Sequence, residues 1–414
     1  MKNQNTQPSS SPEKTSWSLV ILVIGAGVVA AFQIGKAPPV LKLMQEDLGM
    51  NLFLAGWILS AFYLIGLVLG APSGAVADAF GHRRTLLAGL LAMAAGSFAG
   101  VAARDAWFLL GSRILEGIGF LLVGVSAPGL IFKLTRPRDV RLAFSGWSCY
   151  VPGGVAAIML VAPVLAENLG WRGLWLVNGF LLSGYAILVA YHTRGVTHAG
   201  TGARITPSRI LRDFKRTATS AGPLLLALIF STYALQWLAV MGFLPTLIME
   251  DYGFDLNKAS SLSALVVSVN VLGNLAGGWL MHRGFRRRNS IIAASLLMGL
   301  SSILIYASGL SFALRYGACL LFAGVGGLVP ASLLSGAPAH APTRDLVSTT
   351  TGLILQGSQL GQTVGPPALA LLVSVYGGWH VAPWLLCATA SVGILLSLRL
   401  AVLERAQEND RTTA

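Results

Sequence analysis

The sequence predicts an all-α membrane protein with twelve transmembrane helices in two six-helix bundles. Three observations predict it. The 414 residues are 54% hydrophobic and only 11% charged, against about 25% charged in soluble chains, and the mean hydropathy is +0.69. Apolar runs near the length that crosses a bilayer recur from Trp17 to Leu403. Landmarks of the first half also return in the second. Pro39, Asp47 and Gly49 are echoed by Pro245, Asp251 and Gly253, Gly74 by Gly278, and Gly170-Trp171 by Gly378-Trp379.

Taken in order, residues 1–16 are polar and form a flexible tail. The first apolar run lacks a small-residue cleavage site and reads as a retained helix, not a signal peptide. Predicted spans 1 to 6 cover 17–44, 53–75, 84–103, 107–133, 139–166 and 172–191, so 17–191 forms the N-terminal bundle. A cytoplasmic linker, 192–221, follows. Spans 7 to 12 cover 222–250, 258–281, 289–310, 312–337, 345–375 and 381–403, so 222–403 forms the C-terminal bundle, and 404–414 is a charged, frayed tail. Of the 29 Lys and Arg, 22 fall in segments on one side, four on the other and three within spans. That bias orients both termini to the cytoplasm of a bacterial inner membrane.

The net charge of +13 sits in short clusters between apolar runs, which reads as topology and excludes nucleic acid as a partner. Cys149, Cys319 and Cys387 lie inside apolar runs without metal-ligand spacing. No metal, cofactor or catalytic residue is expected. No phosphate-binding GxxxxGK[ST] run occurs, so the energy source is an ion gradient.

Gly74, Asp78, Gly81, Arg83 and Arg84 lie between spans 2 and 3. Their pattern resembles the cytoplasmic loop signature of the major facilitator superfamily, and helix count, duplication and loop charge extend the likeness over the whole chain. The resemblance implies a twelve-helix transporter, monomeric in the lipid bilayer, in which these five residues latch the cytoplasmic gate. The corresponding stretch from Gly278 to Arg288 has no aspartate, so the second latch is weak, pH-sensitive through His282, or absent.

Arg113, Glu116, Gly117 and Gly119 resemble the superfamily's fourth-helix motif. An intramembrane charge costs about 2.5–3.5 kcal/mol on insertion scales. Arg113 and Glu116, three residues apart, share a helix face. The resemblance implies proton coupling through Arg113, with Glu116 as the protonatable group; a static pair that only fixes packing is the alternative. Lys36, before Pro38-Pro39, either joins Arg113 at a central cavity or snorkels to the outer interface.

Substrate-binding candidates are Gln33, Lys36, Tyr233, Gln236, Trp237, Asn270, Gln356 and Gln359, with Asn274 and Gln362 beside them. Amides spaced in this way also bond neighbouring helices. Pro152-Gly153-Gly154 partly matches the drug/proton antiporter fifth-helix motif, with Val151 where that motif has glycine. Ala37-Pro38-Pro39 and the glutamine-rich segment near 356–362 distantly resemble cyanate- and nitroimidazole-type porters, but Ala31 stands where those carry arginine. Two cations against one carboxylate favour an anionic substrate. The expected function is proton-coupled secondary transport of a small anionic organic solute by alternating access. Export of amphipathic drugs and a transport-dead membrane sensor are the alternatives.

Overall fold

The computed structural model describes residues 14–195, 207–343 and 346–413; side chains at 71–72, 74–76, 78–79, 141, 207, 209 and 407–413 lie outside the described residues. The regular elements so described are helices. They run α1 Trp17–Gly35, α2 Leu41–Leu48, α3 Leu52–Phe80, α4 His82–Val101, α5 Ala106–Leu134, α6 Val140–Ser148, α7 Tyr150–His192 and α8 Pro207–Ala218. They continue as α9 Ala221–Tyr252, α10 Leu256–His282, α11 Arg287–Tyr306, α12 Phe312–Gly326, α13 Leu328–Leu334, α14 Ala337–His340, α15 Val347–Tyr376 and α16 Ala382–Thr413, the last preceded by a 3₁₀ turn at Trp379–Val381.

Among the described residues, ten helical segments are long and apolar enough to cross a bilayer. One of them, α7, is two helices, because Gly170 at φ +68° interrupts it. The 30-residue α15 is diluted by Thr, Gln and Gly, yet it packs along both α9 and α3. With these two the crossings number twelve, in two six-helix bundles.

Local chemistry sets the boundaries. Asn51, Asp105 and Asp255 accept the amides of Leu54 (2.9 Å), Phe108 (2.9 Å) and Lys258 (2.7 Å), capping α3, α5 and α10. Gly49 and Gly253 end α2 and α9 in the left-handed conformation that favours glycine. Along α15, Gly357, Gly361 and Gly365 lie against the α9 carbonyls of Ala227, Ser231 and Leu235. A methyl group at any of the three would overlap those oxygens, so this small-residue stripe is what lets the two helices touch.

The observed bounds differ from expectation in five places. The first span breaks over 36–40, between α1 and α2. Pro38 and Pro39 have no N–H for the carbonyls of Ile34 and Gly35. The fifth span is divided at Cys149 and the tenth after Gly326. The linker holds an amphipathic helix, α8, with Lys215 and Arg216 in its last turn; 196–206 and 1–13 lie outside the described residues. The tail expected to fray continues α16 as helix to Thr413. Glu404 anchors its base, accepting from Arg287 (2.9 Å) and facing His340 (3.1 Å).

Away from the termini the halves are joined. Asn257 donates to Glu167 at 2.8 Å, Ser260 to the Met159 carbonyl at 2.5 Å and Ser60 to the Gln362 carbonyl at 3.0 Å. Each half also repeats a staple at that end. Trp171 donates to Asp47 at 3.1 Å and Trp379 to Glu250 at 2.8 Å.

Candidate functional site

The break in α1 leaves carbonyls of a helix C-terminus inside the protein, where they carry partial negative charge. Arg113 of α5 answers it. Its Nη1 donates to the Gln33 carbonyl at 2.8 Å and its Nε to the Ile58 carbonyl at 3.2 Å. Nη1 also reaches Glu116 Oε2 one turn along the same helix. Lys36, the C-cap of α1, donates to Glu116 Oε1 at 2.7 Å, Gln33 Oε1 at 2.5 Å and Ser97 Oγ at 2.9 Å. Gln33 donates in turn to Asn178 at 3.3 Å.

This cluster is sealed. Lys36 and Glu116 are 0% exposed and Arg113 is 1% exposed. Aromatic faces cover both cations: Lys36 Nζ lies 4.2 Å from the Trp175 ring and the Arg113 guanidinium 4.8 Å from Phe62. Gly96 of α4 makes room, since a Cβ there would strike the Glu116 side chain. The Lys36 side chain therefore does not snorkel to an interface. It turns inward, because the chain reverses out of helical geometry directly after it.

A separate cavity of about 880 Å³ lies between the halves, walled by α3, α5, α6, α7, α10, α13 and α15. It extends toward the end that carries the α3–α4 and α10–α11 turns. A smaller chamber of about 210 Å³ continues it to mid-membrane depth, and Phe120, Tyr150, Pro152 and Gln359 border both. Among the described residues the two walls carry no Asp, Glu, Lys or Arg. They present aromatic rings (Tyr63, Phe120, Trp147, Tyr150, Trp237) and amides (Asn270, Asn274, Gln356, Gln359, Gln362). Trp147 and Tyr150 stack at 4.0 Å.

Four of the eight binding candidates, Trp237, Asn270, Gln356 and Gln359, line these spaces. The other four do not. Gln33 and Lys36 belong to the sealed cluster, while Tyr233 is buried beside Asn270 (3.5 Å) and Gln236 bonds the Thr232 carbonyl (3.2 Å). The Asn270 amide donates to the Ala323 carbonyl at 3.0 Å and accepts from Asn274 at 2.8 Å, so it also ties helices together. Gln359 Oε1 is buried with no partner among the described residues. Sequence reasoning missed Tyr63 and Tyr150. Each sits in an apolar run where an aromatic residue is ordinary core material, and only the packing reveals the face it presents.

Between α3 and α4, Gly81 turns the chain at φ +88°. Arg83 donates to Thr193 Oγ1 at 2.8 Å and the Ala190 carbonyl at 2.9 Å, capping the end of α7. Arg84 is exposed. Gly74 and Asp78 lie on the last turns of α3, and the Asp78 side chain lies outside what the structure describes.

Comparison with known proteins places this geometry. The Major Facilitator Superfamily profile matches residues 23–366. The fold is similar to that of a bacterial homolog of the human lysosomal transporter Spinster in an inward-facing conformation, with a TM-score of 0.75, 14% identity and coverage of 94% and 95% of the two chains. The chain is 28% identical to the 3-(3-hydroxy-phenyl)propionate transporter of Escherichia coli, over 83% of this chain and 85% of that one. It is 27% identical to the 4-hydroxybenzoate transporter PcaK of Pseudomonas aeruginosa, over 67% and 68%. A puromycin resistance protein of Streptomyces alboniger is 32% identical over 40% of this chain, which spans only 33% of that relative's length. By the profile match and these relatives, the protein is a multi-pass membrane transporter rather than an enzyme: the chain belongs to the Major Facilitator Superfamily.

Proposed function

We propose that the protein is a proton-coupled secondary transporter that moves a small aromatic carboxylate across the bacterial inner membrane by alternating access, with both termini cytoplasmic. The observation that carries this reading is the charge imbalance of the sealed cluster, two cations against one carboxylate, behind a cavity wall of rings and amides. Ile34 and Pro38, two residues to either side of Lys36 in the chain, border the smaller chamber. Across roughly 8 Å at an effective dielectric near 20, one excess positive charge stabilises an anion by on the order of 2 kcal/mol. The rings accept an aromatic body, and the Gln359 side-chain amide on the chamber wall is placed to meet a hydroxyl group. Relatives that carry hydroxylated aromatic acids support the same substrate class.

Coupling is assigned to the cluster. Arg113 stays protonated throughout, so the exchangeable proton resides on Lys36 or Glu116. Gly81, Arg83 and Arg84, with Gly74 and Asp78, are assigned to the gate at the cavity's open end, beside the α7 terminus that Arg83 caps.

The charge-free wall also fits amphipathic aromatic drugs, and the puromycin relative favours that second reading. One panel separates the two. Purified protein in proteoliposomes is given labelled 4-hydroxybenzoate, gallate and a cationic dye, with and without a pH gradient. Gradient-dependent movement of the acids alone supports the carboxylate reading. Movement of the dye alone supports drug export, and binding without flux supports a sensor.

A further inference from the structure

A second cavity, of about 600 Å³, lies outside the transport path, where the α10–α11 turn meets α14 and the base of α16. Four arginines line it: Arg286, Arg287, Arg288 and Arg405, with Glu404 and His340. Arg287 is already committed. It donates to the Ser332 carbonyl at 2.7 Å, the Ser335 carbonyl at 3.3 Å and Glu404 at 2.9 Å, and His340 shares that same carboxylate. Among the described residues no carboxylate pairs with Arg286, Arg288 or Arg405. Three arginines therefore border one hollow without a paired carboxylate among the described residues, Arg286 and Arg405 exposed and Arg288 partly so.

The surroundings narrow the anion's chemistry. A planar guanidinium matches the paired oxygens of a phosphate group. Beside the arginines, Phe285, 51% exposed, Met281 and Ala401 also line the hollow, so it has an apolar fringe. Basic pockets between spanning helices with such a fringe suit phosphate head groups.

We propose that this hollow binds a phosphate-bearing anion, held by Arg286, Arg288 and Arg405 around the scaffold that Arg287 and Glu404 fix. The phosphate belongs to an anionic phospholipid or is free in solution, and two measurements separate these sources. Native mass spectrometry of the full-length protein, with phosphatidylglycerol against phosphatidylcholine, tests the first source. Thermal shift in inorganic phosphate against chloride at matched ionic strength tests the second. Either selective response supports the site and names its source. Each arginine removed is expected to weaken binding roughly fivefold, so Arg405→Gln should lose about fivefold and Arg286→Gln with Arg288→Gln about 25-fold. Arg104→Gln with Lys258→Gln, at the opposite end, should change nothing. Absence of both responses overturns the proposal, as does wild-type binding by the Arg286/Arg288 double variant.

Discussion

The two halves share an architecture but not an interior. Counted 206 residues on, the offset that relates Pro39 to Pro245, Arg113 corresponds to Cys319, Glu116 to Phe322 and Lys36 to Gly242. The first half thus buries a three-charge cluster where the second packs sulfur and an aromatic ring, with Cys319 4% and Phe322 0% exposed. The helix break follows the same division. The first half interrupts its leading helix at Pro38-Pro39, whereas α9 runs through Pro245 unbroken. A proline pair alone does not dictate the break, since α15 passes through Pro366 and Pro367 as continuous helix. What distinguishes α1 is Arg113, which takes the Gln33 carbonyl left at the broken end. The difference teaches that duplication fixed the frame while one copy became the charged element and the other supplied α10 and α15, whose amides face the cavity.

That comparison can be broken most directly at equivalent positions. Glu116→Gln leaves two buried cations without a carboxylate. It should cost about 3–5 kcal/mol of stability and abolish the pH dependence of uptake. Phe322→Leu, its counterpart, should cost about 1–2 kcal/mol and leave the pH profile of uptake unchanged. Thermal melts and uptake at graded pH check both, and equal effects in the two halves would erase the distinction.

Lys36→Met removes the excess charge but keeps the Arg113–Glu116 pair. Its stability loss should be smaller than that of Glu116→Gln, while apparent affinity for an anionic substrate falls by about tenfold or more, from the estimated 2 kcal/mol of attraction. Unchanged affinity for the acid would remove the cluster from substrate recognition.

Gln359→Leu should weaken a hydroxylated aromatic acid by about fivefold to tenfold, the worth of one hydrogen bond, and leave unsubstituted benzoate unaffected. Competition assays with the two acids read the ratio directly. An equal loss for both would show that Gln359 acts only in packing.

The smallest effect is expected at the staples. The hydrogen bond from Arg172 holds the Asp47 carboxyl below the usual carboxylate range, against an opposing burial cost, with the Trp171 bond and the Arg172 charge adding to the lowering. A carboxylate so depressed contributes its stability above the unfolded value near 3.9 and loses it as pH falls through the lower folded value. The staple is therefore constant from pH 5 to 8. Asp47→Asn, at a half-exposed pair, should cost no more than about 0.5 kcal/mol and leave the pH profile of transport untouched.

Much of the frame was legible before any coordinates. Pro39 through Gly49, with Gly170-Trp171, returned as Pro245 through Gly253 with Gly378-Trp379, and in both halves those stretches meet through a tryptophan and a carboxylate. Spacing alone placed Arg113 and Glu116 on one face. The direction of Lys36 was not legible, because it depends on where the chain leaves the helix, a matter of one or two residues. The rings of Tyr63 and Tyr150 were equally hidden, since an apolar run does not say which of its aromatics borders a cavity. The helical tail was missed because Arg287 and His340, which tie down Glu404, lie 117 and 64 residues away.

The central claim is that charge movement belongs to the first half's cluster and substrate to the cavity between the halves. It is tested by comparing two modes of 4-hydroxybenzoate transport in Glu116→Gln proteoliposomes. The account predicts that counterflow exchange survives while uptake driven by a pH gradient disappears. Wild-type gradient-driven accumulation in that variant would contradict it.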